Sequence, residues 1–197
     1  IENGKWVNRE SFLTFQKAKI ENEINGLQTQ YKDYKHYRLS DVSESINLTR
    51  ENFSKLPNSV YIPKIGTSKV VSSIEDIKIK HQNVFQVQLN PELVLSEYLA
   101  LFYESDLGQL ILSSLSTGSF IPSITKGSIE ESQLAIPPIT EQITLIQTNL
   151  KLEELQETVN ELKSELSLNP KSANTILEKF DSIMKPLKRL SNEDEIL

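Results

Sequence analysis

The chain has 197 residues, a formal net charge of −6, 38% hydrophobic and 24% charged residues, and no cysteine. That length holds one domain with a real core plus appended helices. The composition excludes disulfides and thiolate metal sites, and the net acidity argues against non-specific nucleic-acid binding.

No apolar run approaches the ~20 residues that a membrane span requires, and no secretory signal pattern is present. Cysteine-free composition fits a reducing compartment, so a cytoplasmic setting is expected. The first residue is Ile1 rather than methionine, and a fragment of a longer polypeptide is expected. Charge is spread unevenly. From Arg50 to His81 six basic residues (Arg50, Lys55, Lys64, Lys69, Lys78, Lys80) face three acidic ones, whereas Gln82 to Thr125 holds four acids and no base.

Residues 1–9 read as a tail or the end of a preceding domain. Ser11 is expected to cap a helix to about Tyr31, with Phe12, Phe15, the Lys19 stem, Ile20, Ile24 and Leu27 on one face. Residues 31–37 alternate tyrosine and lysine and read as a linker. Such rings either pack as amphipathic edges or stack on bases. Arg38 to Val42 predicts a short helical turn, and Ser45 to Leu48 a strand. Val60 to Ile65 is β-rich, with Pro63 marking an edge or strand end. Gly66 to Lys69 predicts a turn before Val70-Val71. Val84-Phe-Gln-Val-Gln-Leu89 alternates with period two and is the clearest strand.

Asn90 followed by Pro91 predicts a helix start, because proline at the first position lacks only an N–H that is orphaned anyway. Leu93 to Phe102 makes that helix largely buried, and a second short helix spans 107–115. Residues 116–128 form a loop rich in hydroxyl groups and glycine, and 129–136 a helix–strand unit. Pro137-Pro138 can neither join a ladder nor continue a helix, so the pair separates that unit from the C-terminal third of the chain.

Beyond it, Thr140 is the expected N-cap and Glu141 the first-turn carboxylate of a long helix. Leu145, Leu152, Val159 and Leu166 recur every seven residues, with Leu155 and Leu162 as alternate positions and Thr148 as the single break. A helix of about 25 residues, roughly 37 Å, is expected. Its narrow apolar stripe either packs on its own domain or meets a helix from elsewhere. Asn169-Pro170 breaks it. Ser172 or Asn174 is expected to start a final helix with Ile176, Phe180, Ile183, Met184, Leu187 and Leu190 on one side, bent at Pro186.

Catalytic patterns are missing. His36 and His81 have no second ligand at metal spacing, and there is no glycine-rich phosphate loop and no Gly-x-Ser-x-Gly elbow. Glu130-Glu131 and Glu153-Glu154 read as solvated helix faces. The expectation is a module without catalytic residues, metal or cofactor.

Several segments carry a resemblance. Tyr37-Arg-Leu-Ser-Asp-Val42, Val60-Tyr-Ile-Pro-Lys-Ile-Gly-Thr-Ser68, Gln88 to Leu99, Ser105-Asp-Leu-Gly108, Thr117-Gly-Ser-Phe-Ile-Pro-Ser-Ile-Thr125 and Ile136-Pro-Pro-Ile-Thr-Glu-Gln142 occur in an order resembling the target-recognition domain and spacer of type I restriction–modification specificity subunits. The ordered set spans about 37–166. The resemblance implies fold class α/β (α+β): a small mixed-sheet target-recognition domain, a long coiled-coil-type spacer helix and additional terminal helices. The implied boundaries are 1–36 (helix and linker), 37–138 (recognition), 139–168 (spacer) and 169–197 (C-terminal helix and tail).

It further implies reading of one half of a bipartite double-stranded DNA site, directing a partner or fused N6-adenine DNA methyltransferase. The methyltransferase motif Asn/Asp-Pro-Pro-Tyr/Phe is absent, since Asn90-Pro91-Glu92 and Asn169-Pro170-Lys171 both depart from it. A standard subunit has two recognition domains and two spacers, and this chain shows one of each. A homodimer, or pairing with a second specificity half, is therefore expected through Leu145, Leu152, Leu155, Val159, Leu162 and Leu166. Lys64, Thr67, Ser68, Lys69, Thr117, Ser119 and Lys126 are the candidate DNA-facing residues. A helical protein-assembly module with no DNA contact is the alternative, favoured by the heptad row and the net acidity.

Overall fold

The computed structural model describes residues 9–65, 68–117 and 122–193. The chain forms two compact units that divide between Ile146 and Gln147. In the first, α1 (Arg9–Gln28) is followed by β1 (Lys35–Arg38), α2 (Leu39–Val42), β2 (Ser43–Asn47), β3 (Ser59–Pro63) and β4 (Val84–Leu89). Then come α3 (Ser96–Glu104), α4 (Asp106–Leu115), β5 (Ser116–Thr117), β6 (Ser123–Ile124), α5 (Lys126–Glu130) and β7 (Gln133–Ile136). The helix α6 (Ile139–Leu168) crosses the division, and α7 (Ala173–Glu193) completes the second unit.

The sheets are small and antiparallel: β2-β4-β3, β1-β7 and β5-β6. Alternation along β3 and β4 divides their side chains between two cores. Val60, Ile62, Phe85, Val87 and Leu89 enter the main core with Leu99, Tyr103 and Leu134. Tyr61 and Val84 enter a smaller cluster with Phe53. Gln86, though polar, is buried on that second side. Its amide donates to the Ser54 carbonyl at 2.8 Å and to the Tyr61 hydroxyl at 3.3 Å. The loop carrying Phe53 covers this face, so β4 is sandwiched.

β3 is an edge strand ending at Pro63, as its sequence predicts. Beyond the ladder, Tyr61 forms an isolated bridge to Val71, with its N–H 2.8 Å from the Val71 carbonyl. Residues 31–37 are no free linker. Lys35–Arg38 pairs with β7, and Tyr31 sets its ring edge-on to Tyr34 and Phe102 at 6.0 and 6.1 Å. Packing, rather than stacking on bases, explains Tyr31 and Tyr34.

Three helix starts fall elsewhere than their local signals indicate. Asn90 makes an Asx turn, its Oδ1 accepting from Glu92 N–H at 2.9 Å, but α3 begins only at Ser96. Buried Val94 and the extended Leu95 intervene. The cap comes instead from Asn58, held at φ 46°, a left-handed conformation that Asn tolerates. Asn58 Oδ1 accepts from Ser96 N–H at 2.8 Å, and its Nδ2 donates to the Leu89 and Val94 carbonyls at 3.0 and 2.9 Å. Similarly α6 starts one residue before Thr140. The Pro138 carbonyl accepts from Glu141 and Gln142 N–H at 2.9 and 3.0 Å, so Thr140 lies inside the first turn and does not cap it. Ser11 likewise lies within α1 rather than before it.

Buried Gln142 anchors that first turn. Its Oε1 accepts from Leu95 N–H at 2.9 Å, and its Nε2 donates to the Leu93 and Pro137 carbonyls, both at 2.9 Å. Tyr34 donates its hydroxyl to Glu141, which pushes the phenol up to about 12.

On α1, Ile24 and Leu27 pack on the main core, and Lys19 is exposed beside Glu23 at 3.7 Å. The side chains of Phe12 and Phe15 lie outside the described residues, as do those of Pro186, Leu187 and Leu190. In the second unit, Lys179 Nζ bonds the Glu165 carboxylate at 2.9 Å, tying α7 to the end of α6, and Ile176 is buried. α6 runs for 30 residues, about 45 Å at 1.5 Å per residue.

Candidate nucleic-acid interface

The end of β3 organises one edge of the first unit. Past Pro63 the Lys64 carbonyl accepts from Ile124 N–H at 2.8 Å, and Ile65 bridges to Ser123. Ser123 in turn pairs with Thr117, whose hydroxyl donates to the Ser123 carbonyl at 3.4 Å. Two residues past Ile124, Lys126 opens α5. Thr125 caps that helix, its Oγ1 accepting from Ser128 N–H at 3.1 Å. These bonds set the backbone at Lys64 beside Ser123-Ile124, with Thr117 paired to Ser123 and Lys126 two residues on; Thr117 and Lys126 are exposed and Lys64 is half-buried.

The other candidates differ. Thr67 and Ser119 lie outside the described residues. Ser68 and Lys69 are exposed and line a mainly apolar hollow of ≈ 290 Å³ against Tyr61, Ile77 and Val84. Lys69 is ion-paired to Glu104, at the end of α3, at 2.9 Å. Lys126 stands 3.7 Å from Glu130, four residues along the same short helix. An exposed pair of this kind contributes little and is readily exchanged for another anion.

A second group of cations sits beside this edge. Lys64 N–H donates to the Asn83 carbonyl at 2.8 Å, and its Nζ lies 3.5 Å from the Gln82 carbonyl and 5.7 Å from the Phe85 ring centroid. Lys64 shares an open groove with Arg50 and Gln82. Arg50 and Gln82 also line the adjoining groove, together with Glu51, Lys78, Lys80 and His81. The Phe53 N–H, donated to His81 Nδ1 at 2.9 Å, and a ring stack at 5.2 Å hold the two walls together. Lys55 belongs elsewhere, 3.1 Å from Glu75. The Ser73 hydroxyl, Glu75's own backbone N–H and Lys55 hold that carboxyl down to about 2.

Arg50, Lys78 and Lys80 were not among the candidates drawn from sequence, although the excess of base over acid between 50 and 81 was visible there. Burial lifts two further titratable groups. Tyr103 is pushed up to about 12, and Tyr98, which donates to the Ala135 carbonyl at 2.7 Å, is pushed higher still. Both serve the core. Among the described residues no group of three or more His, Cys, Asp or Glu is placed to hold a metal ion, and no helix is long and apolar enough to cross a membrane.

The six heptad residues fall into two sets. Leu145, Leu152 and Leu166 are 41%, 58% and 42% exposed, whereas Leu155, Val159 and Leu162 are half-buried.

The molecule is thus a mixed α/β protein with small antiparallel sheets and a long helix leaving the strand pair β1-β7. Two solved structures are similar to it in part, an S subunit of a Type-I restriction-modification system and an HsdS subunit. The S subunit from M. genitalium shares 15% identity, with 76% of this chain and 46% of that chain covered and a TM-score of 0.46. The HsdS subunit from Thermoanaerobacter tengcongensis shares 16%, with 70% and 46% covered and a TM-score of 0.46. The match therefore spans less than half the length of either subunit. No family model matches the sequence. No curated protein matches it either.

Proposed function

We propose that this chain is a sequence-specific DNA-recognition module of a restriction–modification system. It reads one half-site of a duplex and directs a partner or fused N6-adenine methyltransferase, performing no covalent chemistry itself. The observation that carries the reading is the placement of Lys64, Thr117 and Lys126 along the edge built by Ile65–Ser123 pairing. Lysines position the phosphate backbone, while hydroxyl groups reach phosphates or base edges. The ordered sequence motifs over 37–166 support the same reading.

Selection of binding duplexes from a randomised pool, followed by sequencing, tests it. Enrichment of one short motif, relaxed at a single position by Thr117→Val, is the expected result. A pool left unenriched contradicts it.

The exposed Leu145, Leu152 and Leu166 favour a second element of the proposal: α6 pairs with the equivalent helix of another copy or a second specificity half. Sedimentation of the Leu152→Glu variant tests this. A shift from dimer to monomer is expected, and an unchanged mass contradicts it.

A further inference from the structure

We propose that the groove between residues 48–52 and 77–83 is a phosphodiester-binding surface, with Arg50, Lys78 and Lys80 as its anion-binding groups and Lys64 at its inner end. This rests on the DNA-recognition reading and adds residues to it. Four cations line the two adjoining grooves, and Glu51 is the one carboxylate among the lining residues. Arg50, Lys78 and Lys80 are exposed, and none has a carboxylate partner among the described residues. That contrasts with Lys55 and Lys69, which stand 3.1 and 2.9 Å from a glutamate. In a chain of net charge −6, leaving these cations together and unneutralised favours an external anion.

The surface is also set in advance. His81 accepts from Phe53 and stacks on its ring, which fixes one wall to the other, and the Lys64 ammonium is steered by the Gln82 carbonyl. A duplex offers one negative charge per ~1.7 Å of axis, so neighbouring cations along a groove engage successive phosphates and release their counterions. Such contacts position the duplex without reading it.

The test is the salt dependence of affinity, measured by anisotropy between about 50 and 200 mM salt on the full chain with a labelled duplex. Each phosphate contact removed lowers the slope of log K against log salt by about one unit. Arg50→Ala/Lys78→Ala/Lys80→Ala is therefore expected to flatten the slope by about three units and to weaken all sequences alike, leaving the preferred motif unchanged. Arg50→Lys/Lys78→Arg/Lys80→Arg keeps the charges and is expected to keep the slope, which separates loss of charge from loss of fold. Lys55→Ala is expected to leave it unchanged. If the wild-type chain binds duplex and the triple alanine variant keeps the wild-type slope, the groove assignment is overturned while DNA recognition stands. If the wild-type chain binds no duplex, both fall.

Discussion

His81 Nδ1 accepts the Phe53 N–H at 2.9 Å, and the imidazole lies on the Phe53 ring at 5.2 Å with planes 22° apart. The bond assigns a histidine without metal-ligand neighbours to architecture: it closes the second core over Tyr61 and Val84 and joins the cationic segments 48–52 and 77–83. His81→Ala orphans a part-buried N–H, which costs about 1–3 kcal/mol, and removes a stack of about 0.5–1.5 kcal/mol. Denaturant unfolding is expected to show a loss near 2–3 kcal/mol. A change below about 0.5 kcal/mol would mean that the pair is incidental.

Gln142 fixes the start of α6 through three bonds to residues 93–95 and 137. Gln142→Leu leaves the Leu95 N–H and two carbonyls unmatched in a buried place. A loss of at least about 3 kcal/mol is expected, since each of the three orphaned groups costs about 1–3 kcal/mol. Thr140→Ala is expected to stay within about 0.5 kcal/mol, because Thr140 does not cap the helix. Equal losses for the two variants in thermal unfolding would refute the assignment.

Gly108 lies where α4 meets the end of α3. A Cβ there would stand 2.1 Å from the Phe102 carbonyl oxygen and 2.5 Å from Tyr103 Cα, and both are backbone atoms. Gly108→Ala therefore forces α3 and α4 apart and is expected to destabilise by about 1–3 kcal/mol. Gly26, within α1, has open space around it. Gly26→Ala is expected to stabilise by up to about 1 kcal/mol through helix propensity. Melting temperatures moving in opposite directions check the pair.

Alkaline stability depends on three phenols. Tyr34 and Tyr103 are pushed from 10.0 up to about 12, the first by its bond to Glu141 and the second by burial, and burial raises Tyr98 as well. A raised folded value means that the native state retains the proton that the unfolded chain loses first. For Tyr34 and Tyr103 this stabilisation is complete below pH 10 and drains away toward pH 12. Melting temperature should fall across that window, and Tyr34→Phe should soften the fall. A flat profile would refute it.

Local pattern revealed much of this fold. Alternation marks β4, Pro63 marks the edge, and Pro137-Pro138 marks the entry to α6. What escaped depends on residues far apart in sequence. Asn58, 38 positions from Ser96, supplies the cap that Asn90 was expected to supply. Gln86 is buried because the Phe53 loop folds over it. At the candidate site, Lys64 and Thr117 lie in segments that carry the resemblance, and Lys126 directly follows one of them. Arg50, Lys78 and Lys80 were visible only as a charge excess, since nothing in the sequence says that the segments around Phe53 and His81 touch.

A duplex lying against the β3 edge and the adjoining groove is the central claim. Hydrogen–deuterium exchange of the full chain with and without a selected duplex measures that contact directly. Protection is predicted at residues 48–52, 64–69, 77–83 and 117–126, with residues 147–185 unchanged. Protection confined to α6 and α7, with those segments exchanging as they do in the free chain, would contradict it.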